Sequence, residues 1–322
     1  MAFEISPYPE FSWSISRQRL FEQCPRAYYY RYYMSWNGWL WEAPGESRLA
    51  YRLSKLTSLD ALLGQEMDVR AREIEAAARA GQDLPSQDDL EARTRAALNR
   101  AWVSSRERSG FERSPNKVTM LRSVYLGEDT EAEVARVREK ISPCTHNLLA
   151  VPHWERIASC GKEGCVPIPD FAQFLLGEVK VFAAADLAFV RDGALHVIDW
   201  ESGREEGDNQ VQVLLSAYCL RENDLSLADL AIEGHVHYLA TGEALKVTVP
   251  DDLAEVVRSV VGEGVALMRG YLLHPEHNVP LGRQDFERRQ SGLCRSCNFA
   301  PLCEQANQTS LASAILPPPR SS

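Results

Sequence analysis

Residues 181–203 read VFAAADLAFVRDGALHVIDWESG. Two apolar runs flank Arg191-Asp192-Gly193, and Asp-Gly between apolar runs is a strong hairpin signal, because both central positions of the tightest turn need positive φ. A two-residue turn at Asp192-Gly193 sets Arg191 opposite Ala194 and, counting outward, Asp186 opposite Asp199. Two carboxylates directly opposed repel, yet both sit inside apolar runs, AAADLAF and HVIDW. A solvated polar face accounts for them less well than a shared cation, for which a divalent metal is the natural candidate. Glu201, two residues beyond Asp199, falls on the same face of its strand.

Outward from this hairpin, taken as residues 178–203, the pattern is mixed. Downstream come an apolar helix over 209–221, a strand pair over 232–249 and a helix over 251–273. The upstream stretch SISRQRLFEQCPRAYYYRYY, residues 14–33, reads as a helix capped by Ser14 or Ser16 and bent at Pro25. Leu20, Cys24 and Tyr28, four residues apart, share its face. Helices over 50–80, 87–108 and 129–141, with a linker at 110–116, form a helical insertion spanning about 60–150. The fold class is α/β, with one domain over residues 1–309 and a polar, disordered tail over 310–322.

Three cysteines close the domain as Cys294-x2-Cys297-x5-Cys303, within the segment 291–304, and Cys24 stands some 270 residues earlier. Three close thiols leave a four-ligand site one short, and Cys24, followed by Pro25, Arg26 and an aromatic run, is the obvious fourth. Four thiolates suit an iron–sulfur cluster, and zinc accepts the same set. Zinc modules favour paired knuckles, which this spacing lacks. Four buried thiols without metal is the plainer alternative. Cys144, Cys160, Cys165 and Cys219 read as structural, although Cys160-x4-Cys165 near His153 is a second candidate metal pair.

The 322 residues carry a net charge of −10, with 45% hydrophobic and 25% charged residues, as in an ordinary globular protein. MAFEISPYPEF has no apolar signal segment, and no apolar run reaches the roughly 20 residues of a membrane span. A cytoplasmic location without membrane partners is therefore expected, where cysteines are more often metal ligands than disulfides. The acidic balance argues weakly against wholesale coating by nucleic acid, though binding depends on local patches. Of the 35 basic residues only six are lysine; arginine is the better phosphate fork, but such a bias also follows from genome composition.

CPRAYYYRYY at one end, C-x2-C-x5-C at the other and the paired acids between them resemble the iron–sulfur-containing RecB-like branch of the PD-(D/E)XK nucleases, over about residues 11–303. The resemblance implies a restriction-endonuclease-like core, a mixed sheet flanked by helices, with an iron–sulfur clamp joining the two ends. It assigns Cys24, Cys294, Cys297 and Cys303 to a [4Fe–4S] cluster, Asp186 and Asp199 to Mg²⁺ or Mn²⁺, and Arg26 and Gln212 to DNA. Such a clamp is feasible because loop-closure entropy grows only logarithmically with length. Partners implied are DNA and a helicase or another nuclease or defence subunit.

Three positions depart from the family pattern. Glu201 occupies the place of the catalytic lysine, Asp68 in Gly64-Gln65-Glu66-Met67-Asp68 that of a metal-binding histidine, and Ser216 that of a DNA-positioning tyrosine; Tyr218 points elsewhere. Glu201 and Asp68 could serve as further metal ligands, and Lys180 on the neighbouring strand is another ammonium at hand. The expectation is a nuclease-like DNA-binding protein with a degenerate catalytic site (Asp186, Asp199, Glu201), acting in recombination, repair or antiviral defence. An active Mg²⁺- or Mn²⁺-dependent deoxyribonuclease is the first alternative, and an iron–sulfur scaffold that touches no DNA the second.

Overall fold

The computed structural model describes residues 6–160, 164, 166–169, 171–203 and 208–303; Cys165 and the tail over 310–322 lie outside the described residues. After strand β1 (Ser12–Trp13), Ser14 caps helix α1 (Ile15–Gln23) by accepting from the Arg17 N–H. The chain then breaks at Cys24, which is extended at φ −162°. Pro25 opens helix α2 (Pro25–Tyr29) at a position that needs no donor. A π-helical turn, Tyr30–Met34, follows. The bent helix read from the sequence is thus two helices hinged at Cys24.

The helical portion comprises α3 (Gly45–Ser54), α4 (Leu59–Arg79), α5 (Gln87–Ser104), α6 (Arg108–Arg113), α7 (Arg122–Leu126), α8 (Glu131–Leu149) and α9 (His153–Ala158). The single helix expected over 50–80 is divided, because Ser58 accepts from the Ala61 N–H and caps a fresh start while Thr57 bridges to Leu121. The linker expected at 110–116 is largely α6. Helix α8 outruns its expected end at 141 despite Pro143. Thr145 Oγ1 shares its proton between the Ile141 and Ser142 carbonyls, both at 3.0 Å. Leu63, Met67, Ile74, Leu90, Ile141 and Leu148 pack as one core, which continues into Leu187, Ile198 and Trp200 of the hairpin.

Strands β2 (Gln173–Leu176) and β3 (Val179–Phe182) form a three-stranded sheet with β1, in order β1-β3-β2. Strands β4 (Leu187–Arg191), β5 (Ala194–Glu201), β6 (Ala231–Tyr238) and β7 (Glu243–Val247) form a second sheet in that order. The β-rich run read over 178–190 therefore supplies strands to two sheets, with residues 183–186 between them. The β4–β5 register pairs Leu187 with Ile198 and Arg191 with Ala194, as the Asp-Gly turn dictates; Asp192 and Gly193 have φ of 52° and 75°. β5 and β6 run parallel, which requires a crossover, supplied by α10 (Asp208–Asn223). Helix α11 (Leu253–Arg269) packs on α10. The second core, around Val181, Leu195, Val197, Leu215, Val236 and Val261, lies on the face of the sheet covered by these helices. The result is a mixed α/β fold consistent with a restriction-endonuclease-like core.

Helix α10 approaches β6 most closely at Gly234, where an added Cβ would stand 2.7 Å from Val213 Cγ1 and 3.1 Å from Val247 Cβ. Gly234→Ala should cost about 1–3 kcal/mol through overpacking. The check is the denaturant midpoint at unchanged m-value; an unmoved midpoint would mean that α10 shifts at no cost.

Candidate metal centre

Helix α4 and the β4–β5 hairpin, with residues 166–169, enclose a cavity of about 650 Å³, whose walls include Asp68, Arg72, Glu75, Arg79, Asp186 and Trp200. Asp186 stands at the entrance to β4, and its Oδ2 accepts from the Trp200 N–H at 2.8 Å. Asp199, near the end of β5, is 3% exposed; its Oδ1 accepts from Gln212 Nε2 at 2.9 Å, and its Oδ2 is a buried oxygen with no hydrogen-bond partner. An added Cβ at Gly64 would come within 3.2 Å of Ser202 Oγ, so the glycine lets α4 lie close to the end of β5. Asp68, one turn later, then reaches the site.

These carboxyls hold their protons well above the usual carboxylate range. Burial comes first in raising Asp68 to about 7, and the charge of Asp186 adds to it while Arg72 opposes. Asp186 is pushed up to about 6, again chiefly by burial and then by Glu201, against the Trp200 N–H and Arg72. Asp199 is raised by burial, by Asp186, by Glu201 and by Asp68, with Gln212 opposing. A buried carboxylate costs free energy unless something compensates it. An orphaned Asp199 oxygen among three other carboxylates is a donor set that fits a hard divalent cation.

A stability signature follows. The unfolded carboxyls titrate near 3.8 and the folded ones near 6 to 7. Between those values the native state binds more protons, so stability falls as pH rises through that window. His153 and His237, pushed down to about 3 and 4, act in the opposite sense. The difference between wild type and Asp199→Asn, measured in chelator, isolates the carboxylates. The variant should be more stable than wild type at pH 8 by on the order of 1–2 kcal/mol, with little difference at pH 4. A Tm gap independent of pH would contradict this.

Arg72 is the functional residue that sequence reasoning missed. Asp68, Arg72, Glu75 and Arg79 line the cavity at helical spacing along one face of α4, and that polar stripe was its available signal. Lys180, considered as a displaced ammonium, is instead tied to Glu10 at 2.7 Å. Ser216 is buried on α10 with its hydroxyl unpartnered, and Tyr218 stands edge-on to Phe174. Arg26 does not come to the cavity; it is buried and donates through Nε to the Phe286 carbonyl at 2.8 Å. That bond anchors the C-terminal segment.

That segment meets Cys24. Cys294 lies in a 3₁₀ turn, Gly292–Ser296, which Cys297 closes; Cys303 closes a second, Ala300–Leu302. Burial raises the Cys297 thiol, the Phe299 N–H opposes, and the charges of Cys24, Cys294 and Cys303 raise it further. All four sulfurs thus share one electrostatic neighbourhood. Tyr30 Oη donates to the Leu302 carbonyl at 2.9 Å and Asn298 Nδ2 to that of Leu56 at 2.9 Å. Tyr30, Leu53, Phe299 and Leu302 share a small core around Cys24 and Cys297. Four convergent thiols fit a soft-metal group. Cys144 and Cys219 are buried elsewhere, with thiols pushed up to about 11, and Cys160 donates to the Arg156 carbonyl.

No helix among the described residues is long and apolar enough to cross a membrane. No curated protein sequence matches the chain. Over residues 12–304 the sequence matches the PD-(D/E)XK nuclease superfamily, and the chain belongs to that superfamily.

Proposed function

We propose that this protein engages DNA at a divalent-metal site of the RecB-like type, that a [4Fe–4S] cluster on Cys24, Cys294, Cys297 and Cys303 pins its two ends together, and that strand cleavage is strongly attenuated. The observation carrying this reading is the charge inventory of the cavity. Asp68, Asp186, Asp199 and Glu201 bring four carboxylates, and Arg72 is the cation that acts on Asp68 and Asp186. Among the described residues, with all four ionised and Glu75 paired to Arg79, one divalent ion and Arg72 leave the centre net negative. A phosphodiester anion then approaches against the local field, where an ammonium in place of Glu201 would draw it in. Asp186 and Asp199 would hold the metal, with Asp68 as a third ligand, and Gln212 orients Asp199. Bound metal would supply Lewis-acid chemistry at a phosphoryl oxygen.

A route for the strand adjoins the acids. A second cleft of about 440 Å³ is lined by Ser14, Arg17, Tyr32, Phe171 and Gln212, and it shares Ala184 with the acidic cavity. Arg17 stands 4.5 Å over the Tyr32 ring, and Phe171 is largely exposed. An arginine beside open aromatic rings is a surface on which single-stranded bases stack and phosphates pair. The test is salt-dependent binding of single- and double-stranded DNA in Ca²⁺, with Arg17→Ala and Phe171→Ala. Each variant should weaken single-strand binding by roughly 1–3 kcal/mol, about 5- to 150-fold. Absence of DNA binding by the wild type would leave the scaffold alternative.

Arg72 gives the active alternative its support. A guanidinium one turn beyond Asp68 can stand in for part of the lost ammonium, and two divalent ions would turn the centre positive. Robust Mn²⁺-dependent cleavage that depends on Arg72 would establish that reading.

A further inference from the structure

On the opposite face of β5 from Asp199 lies a group of histidines that the acidic site does not use. His196 of β5 pairs in register with Glu233 of β6, and His235 follows two residues along the same face. One ring nitrogen from each histidine and a Glu233 oxygen lie within 4.8 Å of one another. Glu233 Oε2 is 3.7 Å from His196 Nδ1 and 3.9 Å from His235 Nε2. These separations exceed a hydrogen bond and approach the roughly 3.4 Å between ligand atoms that sit 2.0–2.1 Å from a tetrahedral zinc.

His153, the first residue of α9, covers the group. Its ring centroid is 4.9 Å from that of His235 and 6.4 Å from that of His196. It is 4% exposed, and neither of its nitrogens has a hydrogen-bond partner; the same holds for His196 at 1%. The Arg191 carbonyl influences His196 without reaching normal hydrogen-bond geometry. Each unmade bond of this kind costs about 1–3 kcal/mol, and each of these two neutral rings has one lone-pair nitrogen that a metal ion could accept. Burial pushes all four imidazoles of this face, His237 included, below their ordinary pKa. They are therefore neutral at pH 7, the form that ligates metal. Glu233 and His235 remain partly exposed, which leaves an entry path.

We propose that His196, Glu233 and His235, with His153 as the fourth ligand, form a zinc-type transition-metal site that fastens α9 of the helical portion to β5 and β6. Four nitrogen and oxygen ligands and a mostly buried centre match a closed structural site. The site is independent of the acidic cavity and of the thiols. Its competitor for Glu233 is Lys246, whose Nζ lies 3.9 Å from Oε2 on the solvent side; a bound dication displaces that single exposed charge.

The experiment uses the full chain with iron loaded and its thiols therefore engaged, dialysed against a mild chelator and titrated with Zn²⁺ or Co²⁺. With the acidic cavity held by excess Mg²⁺, one Zn²⁺ per chain should bind beyond the iron. Glu233→Gln and His153→Gln should each weaken it by about 100-fold, while Asp199→Ala leaves it unchanged. Co²⁺ should give visible ligand-field bands without thiolate charge transfer, a signature read on the wild type even where a variant fails to fold. Failure of wild type to take up Zn²⁺ overturns the proposal. So does a site that survives in both His153→Gln and Glu233→Gln, or a Co²⁺ spectrum dominated by thiolate. If the four cysteines held zinc and no iron, the thiolate band would report them separately, and the histidine site would still be judged by its own variants.

Discussion

Anaerobically purified protein is expected to be brown, with broad absorption near 400 nm and about four irons per chain. Cys24→Ala should bleach it as completely as Cys297→Ala, although the two residues lie at opposite ends of the sequence. The segment after α11 explains why the expected effect is large. Residues 287–296 are exposed and carry only 3₁₀ turns, and the buried apolar anchors from residue 286 onward are Phe286, Phe299 and Leu302 among the described residues. Without a group bridging the thiols, these few side chains must hold the C-terminal strap against the entropy of freeing it. Loss of a structural metal group ranks among the mechanisms that exceed 4 kcal/mol, here on the order of 10 °C in Tm. The contacts of Tyr30 and Asn298 persist in such a variant, so local release of the strap should precede global unfolding, visible as early proteolysis after residue 286. Cys144→Ala is the control and should keep its iron. Stoichiometric zinc in protein prepared with iron present and oxygen excluded would sink the cluster assignment.

What could be read from the sequence tracks the range of the interaction responsible. The hairpin was legible to the residue, because Asp192-Gly193 fixes both φ angles and the register then follows by counting. Helices α1, α10 and α11 were legible for a similar reason: a cap or an apolar period marks each one locally. The helical portion was read less well. The break before α4 rests in part on the Thr57–Leu121 bridge, whose partner is 64 residues away, and a proline at 143 hides the continuation of α8 to Leu149. At the site, Asp68 and Gln212 were found by resemblance, and the structure places both against the hairpin acids. Arg72 escaped because its polar stripe on α4 reads as an ordinary solvated face until α4 is docked. The bond of Arg26 to the Phe286 carbonyl was not legible, because its neighbours, Pro25 and the tyrosines, give no sign of a partner 260 residues away. The histidine group was invisible in sequence: His153, His196 and His235 become neighbours only through the parallel β5–β6 pairing and the docking of α9.

Wild-type protein should bind DNA yet cut it negligibly with Mg²⁺ or Mn²⁺, and Glu201→Lys should raise cleavage by several orders of magnitude. A unit charge pair at ~4 Å and an effective dielectric of ~20 is worth about 4 kcal/mol, and reversing the sign at that position swings the field by about twice as much. Each ~1.4 kcal/mol is a factor of ten in rate. The substitution also removes a contributor to the raised protonation of Asp186 and Asp199, since Glu201 pushes both upward. Metal should therefore compete with protons more easily at neutral pH in the variant. The assay pairs wild type and Glu201→Lys with Asp199→Ala and Arg72→Ala in each background. Activity that appears only with Glu201→Lys, and vanishes when Asp199→Ala is added, would show an intact metal site silenced by the lost ammonium. Inactivity throughout, with DNA binding retained, would mean that the absence of the tyrosine at Ser216 and of the histidine at Asp68 has relaxed the geometry as a whole. Strong cleavage by wild type, abolished by Asp199→Ala and by Arg72→Ala alike, would overturn the attenuated reading and make the guanidinium on α4 the working cation of an active nuclease.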